Sequence, residues 1–241
     1  MSETCSDVFI GVPKEAIDTP ALLVDLDIFE ANIQRMANFF KTVNADLRPH
    51  TKTHKTPIIA HKQIMAGAIG VTCAKLGEAE AMVHAGIRDV LIANQIVGPQ
   101  KIARLINLAK HSEIMVAVDD SHNVDQLSAA AEAKGATLRV LIEVNTGMNR
   151  CGTEPGEPTL SLARHILQSK GLKFEGLMGY EGHTVAKTDL SERKLQTGKA
   201  VDLLIDSKHL LEENGVSVKI MSGGGTGTHA ITGSYPEMTE I

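Results

Sequence analysis

Residues 89–145 read DVLIANQIVGPQKIARLINLAKHSEIMVAVDDSHNVDQLSAAAEAKGATLRVLIEVN, and the order of patterns in this stretch decides the fold. Three short runs, 89–94 (DVLIAN), 114–120 (IMVAVDD) and 139–145 (RVLIEVN), are apolar almost continuously rather than alternately. That is the pattern of parallel strands covered on both faces. Between the second and third runs, Val124, Leu127 and Ala131 stand at helical spacing, with Ser121 as the candidate N-cap and Gly135 as the candidate stop. Comparable runs lie outward at 21–27 (ALLVDLD), 46–52 (DLRPHTK), 70–75 (GVTCAK), 173–180 (KFEGLMGY) and 218–222 (VKIMS). Phe29, Ile33, Met36, Phe40 and Val43 line one side of a helix between the first two of these. Eight strand candidates separated by helices predict a parallel α/β fold, and the number eight favours a closed (β/α)8 barrel of TIM type over an open doubly wound sheet. A length of 241 residues suits one such barrel, for which roughly 250 is usual.

Composition narrows the function classes. With 43% hydrophobic and 22% charged residues the chain can bury a core, and disorder or fibrous repeats are excluded. The net charge is −5, with no basic block to neutralise a phosphate backbone, so nucleic acid is not an expected partner. No basic start leads into an apolar run, and no stretch approaches the ~20 apolar residues of a membrane span, so neither a membrane nor export is expected and the cytoplasm is the expected compartment. Cys5, Cys73 and Cys151 are odd in number and scattered, which fits a reducing environment and reads as packing residues.

The C-terminal ends of the strand candidates run into polar groups: His50-Thr51-Lys52, Lys75, Asn94-Gln95, Asp119-Asp120, Asn145 to Arg150, Tyr180 to His183, and Ser222 to Thr226. In a barrel these converge on the rim where active sites sit. The run Gly223-Gly224-Gly225-Thr226-Gly227 lets backbone N–H groups approach a phosphate, with Thr226 or Ser222 adding a hydroxyl, although a structural glycine turn explains it equally. It is neither a dinucleotide fingerprint nor a Walker A loop. Lys52 or Lys55 could serve as a Schiff-base or general-base lysine, and composition does not rank them. His50 and His54 raise a metal reading, weakened by the lack of a carboxylate beside them. Arg150 could hold a planar anion or the edge of a heteroaromatic ring, or pair with a surface carboxylate. Tyr180, one of only two tyrosines in a chain without tryptophan, could be a core residue, yet Tyr-x-x-His at a rim suits ring contact together with proton handling by His183.

The order Asp18-Thr19-Pro20, RPHTKTHK (48–55), NTGMNRCG (145–152), GYEGH (179–183) and SGGGTGT (222–228) resembles the D-threonine aldolase and D-serine dehydratase-like family of pyridoxal 5′-phosphate (PLP) enzymes, which shares the fold type III barrel of alanine racemase. The resemblance spans residues 18–241 and leaves 1–17 as an N-terminal extension. It implies that Lys52, not Lys55, bonds PLP, that Arg150 and Tyr180 lie beside the cofactor ring, and that Ser222, Gly224, Gly225 and Thr226 form the phosphate cup. Gln95 joins the cofactor-binding set and His183 the catalytic one. The implied activity is a lyase reaction on D-3-hydroxy amino acids, by retro-aldol cleavage or by elimination. An amino acid racemase and a non-catalytic PLP-holding barrel are the alternatives, and a barrel binding another phosphate ligand is a third reading. Family members continue into a β domain that closes the site and carries a metal pair for Mn, Mg or Zn. This chain is therefore expected to be a piece of a longer protein, with its last barrel strand cut short, the metal ligands outside it, and a homodimer as its assembly.

Overall fold

The computed structural model describes residues 10–241. Six strands, β1 (Val71–Cys73), β2 (Asp89–Ile92), β3 (Glu113–Val118), β4 (Leu138–Glu143), β5 (Leu172–Gly179) and β6 (Ile220–Gly223), pair in chain order, each parallel to the next. Parallel neighbours need a crossover, and helices provide it. α1 (Leu26–Phe40) and α2 (Pro57–Met65) precede β1, and α8 (His229–Thr232) follows β6. α3 (Leu76–His84), α4 (Pro99–Ala109), α5 (Ser121–Ala133), α6 (Glu157–Gln168) and α7 (Leu190–Glu213) link successive strands.

Two further segments close the ring. Glu240 makes parallel bridges to both Ser222 and Asp46, and His50 makes one to Thr72. The amide of Thr239 donates to Met221 at 3.0 Å, that of Arg48 to Ile241 at 2.8 Å, and that of Thr72 to Pro49 at 2.9 Å. Residues 239–241 and 46–50 thus fill the seventh and eighth positions between β6 and β1. Both pair only through isolated bridges, and in the second Pro49 has no N–H to give a regular ladder. The expectation of eight barrel segments holds, but one was misplaced. Residues 21–25 are irregular and exposed, and α1 begins at Leu26. There the Asp25 carboxylate accepts the Ile28 amide at 3.1 Å, so a helix cap competes with the strand pattern. Likewise Asp120, not Ser121, caps α5, accepting the Asn123 amide at 2.9 Å.

Successive strand residues face opposite sides, and both sides are dry. Leu91, Met115, Ala117, Leu141 and Met178 pack inside the barrel, while Val90, Val116, Val140 and Leu177 pack outward with Leu105, Leu127, Leu160 and Leu204 of the helices. This is why the runs are apolar without alternation. Arg48 is buried and ties the closure together, its Nε donating to Glu240 at 2.9 Å and its Nη1 to Asp89 at 2.6 Å. The first residue of RPHTKTHK is therefore a structural clamp. At Gly176 φ is +153°, and a Cβ there would overlap the carbonyl oxygen of Ile220, so only glycine lets β5 lie against β6. No helix among the described residues is long and apolar enough to cross a membrane.

Candidate active site

Lys52 reaches the rim because its neighbour is anchored. Thr51 is fully buried, its amide donating to the Thr72 carbonyl at 2.8 Å and its hydroxyl to the same oxygen at 3.1 Å. The chain then turns outward, and the Lys52 Nζ stands 5.9 Å from the centroid of the Tyr180 ring. Lys55, at φ +51°, goes elsewhere, its Nζ 3.6 Å from Glu78. The geometry thus separates two lysines that composition leaves equal. The Nδ1 atoms of His50 and His54 are turned to the backbone amides of Lys52 and Thr56, at 3.3 and 3.0 Å. Burial first, and the Lys52 charge second, push His50 down to about 4, so it is a neutral neighbour of the lysine. Among the described residues no three His, Cys, Asp or Glu side chains gather as a metal site.

Arg150 approaches the same ring from the loop after β4, its guanidinium carbon 5.6 Å from the Tyr180 centroid. That loop folds back through a bridge between Val144 and Thr153, with the Thr153 amide donating to Glu143 at 2.9 Å. Beneath it lies Glu143, 3% exposed, which accepts from Gln95 Nε2 at 2.8 Å and from Cys151 Sγ at 2.9 Å and pairs with Arg150 Nη2 at 3.6 Å. Gln95 Nε2 also donates to Asp119 at 3.0 Å, and Asp119 accepts the Gly152 amide at 2.9 Å. A hydrogen bond to Cys151, and then Glu143, hold the Arg150 guanidinium above its ordinary value against partial desolvation. The carboxylate partner of Arg150 is thus a buried one. Cys151, expected to be a packing residue, is partly exposed and belongs to this network; burial and Glu143 push its thiol up. Cys73 does pack, fully buried, its thiol pushed up to about 11 by that burial. Cys5 lies outside the described residues.

Tyr180 follows β5 and is wedged by glycines. A Cβ at Gly182 would overlap its ring, and one at Gly225 would sit 3.1 Å from it. Glu181, 2% exposed, accepts the Gly224 amide at 3.2 Å and the Thr232 hydroxyl, fixing the glycine loop from below. The Gly225 amide turns to Thr228 at 3.1 Å. Ser222 is buried in β6, opposite Met178, and Thr226 is exposed on the loop. His183 is exposed on the 3-10 turn Gly182–Thr184, its Cε1 and Nε2 each 3.3 Å from where a Gly147 Cβ would lie. Lys52, Arg150, Tyr180 and Gly225 come together directly. Gln95 joins them through Glu143, and His183 borders them across Gly147.

The sequence assigns Glu143 and Glu181 no role, and it places Asp119 only among the polar groups of the rim. The available signal was a carboxylate inside an apolar run, RVLIEVN, since a buried charge needs partners.

The rim fits PLP. An amine and a guanidinium that both approach one aromatic ring, beside a glycine-rich loop, are the residue types that an aldehyde-bearing pyridine phosphate requires. A cavity of about 480 Å³ lies elsewhere, between the apolar side of α1 and residues 46–54 with α2.

A parallel barrel carrying a lysine, an arginine and a glycine loop around one tyrosine defines a class of cofactor-binding (β/α)8 barrels. The pattern described as alanine racemase, N-terminal domain, matches residues 24–237, and the chain belongs to that family. Over 231 residues it is 39% identical to the D-threonine aldolase of Arthrobacter sp., covering 95% of this chain and 61% of that enzyme. With the 3-hydroxy-D-aspartate aldolase of Paracoccus denitrificans the identity is 34% over 233 residues, 95% of this chain and 60% of the relative. The crystal structure of D-threonine aldolase from Filomicrobium marinum superposes with a TM-score of 0.89 at 44% identity, over 93% of this chain and 61% of that one. The D-threo-3-hydroxyaspartate dehydratase from Delftia sp. HT23 gives 0.86 at 26%, over 94% and 60%. The chain thus spans about three fifths of the relatives it matches.

Proposed function

We propose that this chain is the cofactor-binding barrel of a PLP-dependent lyase that acts on D-3-hydroxy amino acids. The observation that carries the reading is the convergence of Lys52 and Arg150 on Tyr180 at the rim. It is supported by relatives named as aldolases of D-threonine and 3-hydroxy-D-aspartate and as a D-threo-3-hydroxyaspartate dehydratase. When bound, PLP supplies the electron sink that weakens bonds at the substrate's α carbon. Lys52 would hold the cofactor through its Nζ. Arg150 and Tyr180 orient the ring. Ser222, Gly224, Gly225 and Thr226 cradle the phosphate, and Gln95 acts through Glu143. His183 moves a proton at a ring nitrogen. A divalent metal, implied by the resemblance, finds no three-ligand cluster among the described residues. A cytoplasmic homodimer belongs to the same reading.

Racemisation is the second reading. It is favoured by the family description and by the 27% identity to an alanine racemase of Clostridium perfringens, against 39% and 34% to the aldolases. The test is to add PLP, record the visible band, reduce with borohydride and map the modified peptide. The expected site is Lys52, and Lys52→Ala should abolish the band. Modification at Lys55 or Lys75 overturns the assignment. Acetaldehyde from D-threonine then identifies an aldolase and ammonia a dehydratase, whereas a trapped cofactor with neither product favours a PLP-holding barrel.

A further inference from the structure

We infer that Glu143 is a positioning residue, which fixes Arg150 against the face of Tyr180 so that the arginine meets the cofactor in one orientation. The inference rests on the PLP reading above. Arg150 alone is poorly placed to be precise: its side chain is half exposed, and its loop contains positive φ angles at Gly147, Asn149 and Gly152. Glu143 is the opposite. It ends a strand hydrogen-bonded on both sides, and its side chain is almost fully buried. Sites carried by strands hold geometry better than sites on loops, and a strand carboxylate can lend that rigidity to a loop cation.

Three consecutive loop residues are each held by one of two rim carboxylates. Arg150 pairs with Glu143 at 3.6 Å, Cys151 donates to Glu143 at 2.9 Å, and the Gly152 amide donates to Asp119 at 2.9 Å. Gln95 joins the two carboxylates with one amide nitrogen, at 2.8 and 3.0 Å. The ends of β2, β3 and β4 therefore act together on the segment that delivers Arg150. A buried carboxylate is costly unless paired, so the arginine is drawn to one rotamer rather than left to sample several. An arginine held this way presents its remaining donors in a fixed fork, which matters because its geometry, more than its charge, sets what it recognises.

Glu143→Gln keeps the size and loses the charge. It should weaken PLP binding about tenfold, through loss of a half-buried ion pair, and alter the pH dependence of the visible band. The unfolding midpoint should stay within about 3 °C. In an Arg150→Ala background the same substitution should change PLP affinity by less than about twofold, because the path through Arg150 is already gone. Without PLP, phenylglyoxal should modify Arg150 several-fold faster in Glu143→Gln than in the unaltered chain. A full additive loss in the Arg150→Ala background, unaltered PLP affinity, or unaltered Arg150 reactivity overturns the proposal. If Glu143→Gln unfolds the chain, Glu143→Asp withdraws the same carboxylate from Arg150 while keeping its charge, and carries the same tests. Should the unaltered chain give no visible band with PLP, the cofactor reading fails, and the phenylglyoxal comparison still decides the positioning.

Discussion

His50 and Lys52 share a rim, and their separation by a single residue has a measurable consequence. The His50 imidazole is lowered from 6.5 to about 4, by burial and then by the Lys52 charge. As pH falls, the unfolded chain therefore takes up this proton before the folded one does. The folded state loses stability as pH drops from about 6.5 to about 4, and the loss levels off below that. His50→Asn should flatten this part of the acid limb. The difference between the urea midpoints of the two chains should change as pH falls from about 6.5 to about 4, the unaltered chain losing more; a difference independent of pH would show that His50 does not titrate this way. At this scale the sequence was informative about chemistry and silent about direction. RPHTKTHK announces two lysines and two histidines, but only the burial of Thr51 and the left-handed turn at Lys55 send Lys52 to Tyr180 and Lys55 to Glu78.

Barrel closure rests on two short segments, 46–50 and 239–241, which lack the ladder of a regular strand. Arg48 compensates with side-chain bonds across the seam. Burial alone would lower its guanidinium, yet Glu240 and Asp89 hold it above its ordinary value. Arg48→Ala would strand the nearly inaccessible Glu240 carboxylate and should cost about 3–5 kcal/mol in unfolding free energy, read from urea denaturation. A cost comparable to that of an exposed ion pair, about 0–1 kcal/mol, would mean that water enters the seam. The six inner strands were legible because an apolar run flanked by helical spacing has few other readings. The run at 21–27 was misread because its pattern is equally strand-like, and what decides against a strand is the absence of a neighbouring strand there together with the cap at Asp25.

Over the whole molecule, apolar exposure is uneven. Leu22, Leu23, Val24, Leu26 and Ile28 are between 55% and 102% exposed, whereas residues 239–241 are paired on both sides. The chain should therefore bind a hydrophobic dye and associate as concentration rises through residues 22–28, not through an open barrel edge. Leu22→Ser with Leu23→Ser should reduce both effects in dye titration and light scattering; an unaltered response would locate the sticky surface elsewhere. By itself the sequence determined the alternation of strand and helix, the closed parallel barrel and the polar character of one rim. These follow from local periodicity and from which residue types tolerate burial. Only the tertiary structure decided that residues 239–241, not 21–27, complete the ring with 46–50, which lysine faces the tyrosine, and that Glu143, Gln95 and Asp119 lock the arginine loop. Those outcomes depend on contacts between residues far apart in the chain, 192 positions for Arg48 with Glu240 and 48 for Gln95 with Glu143, which no local pattern encodes.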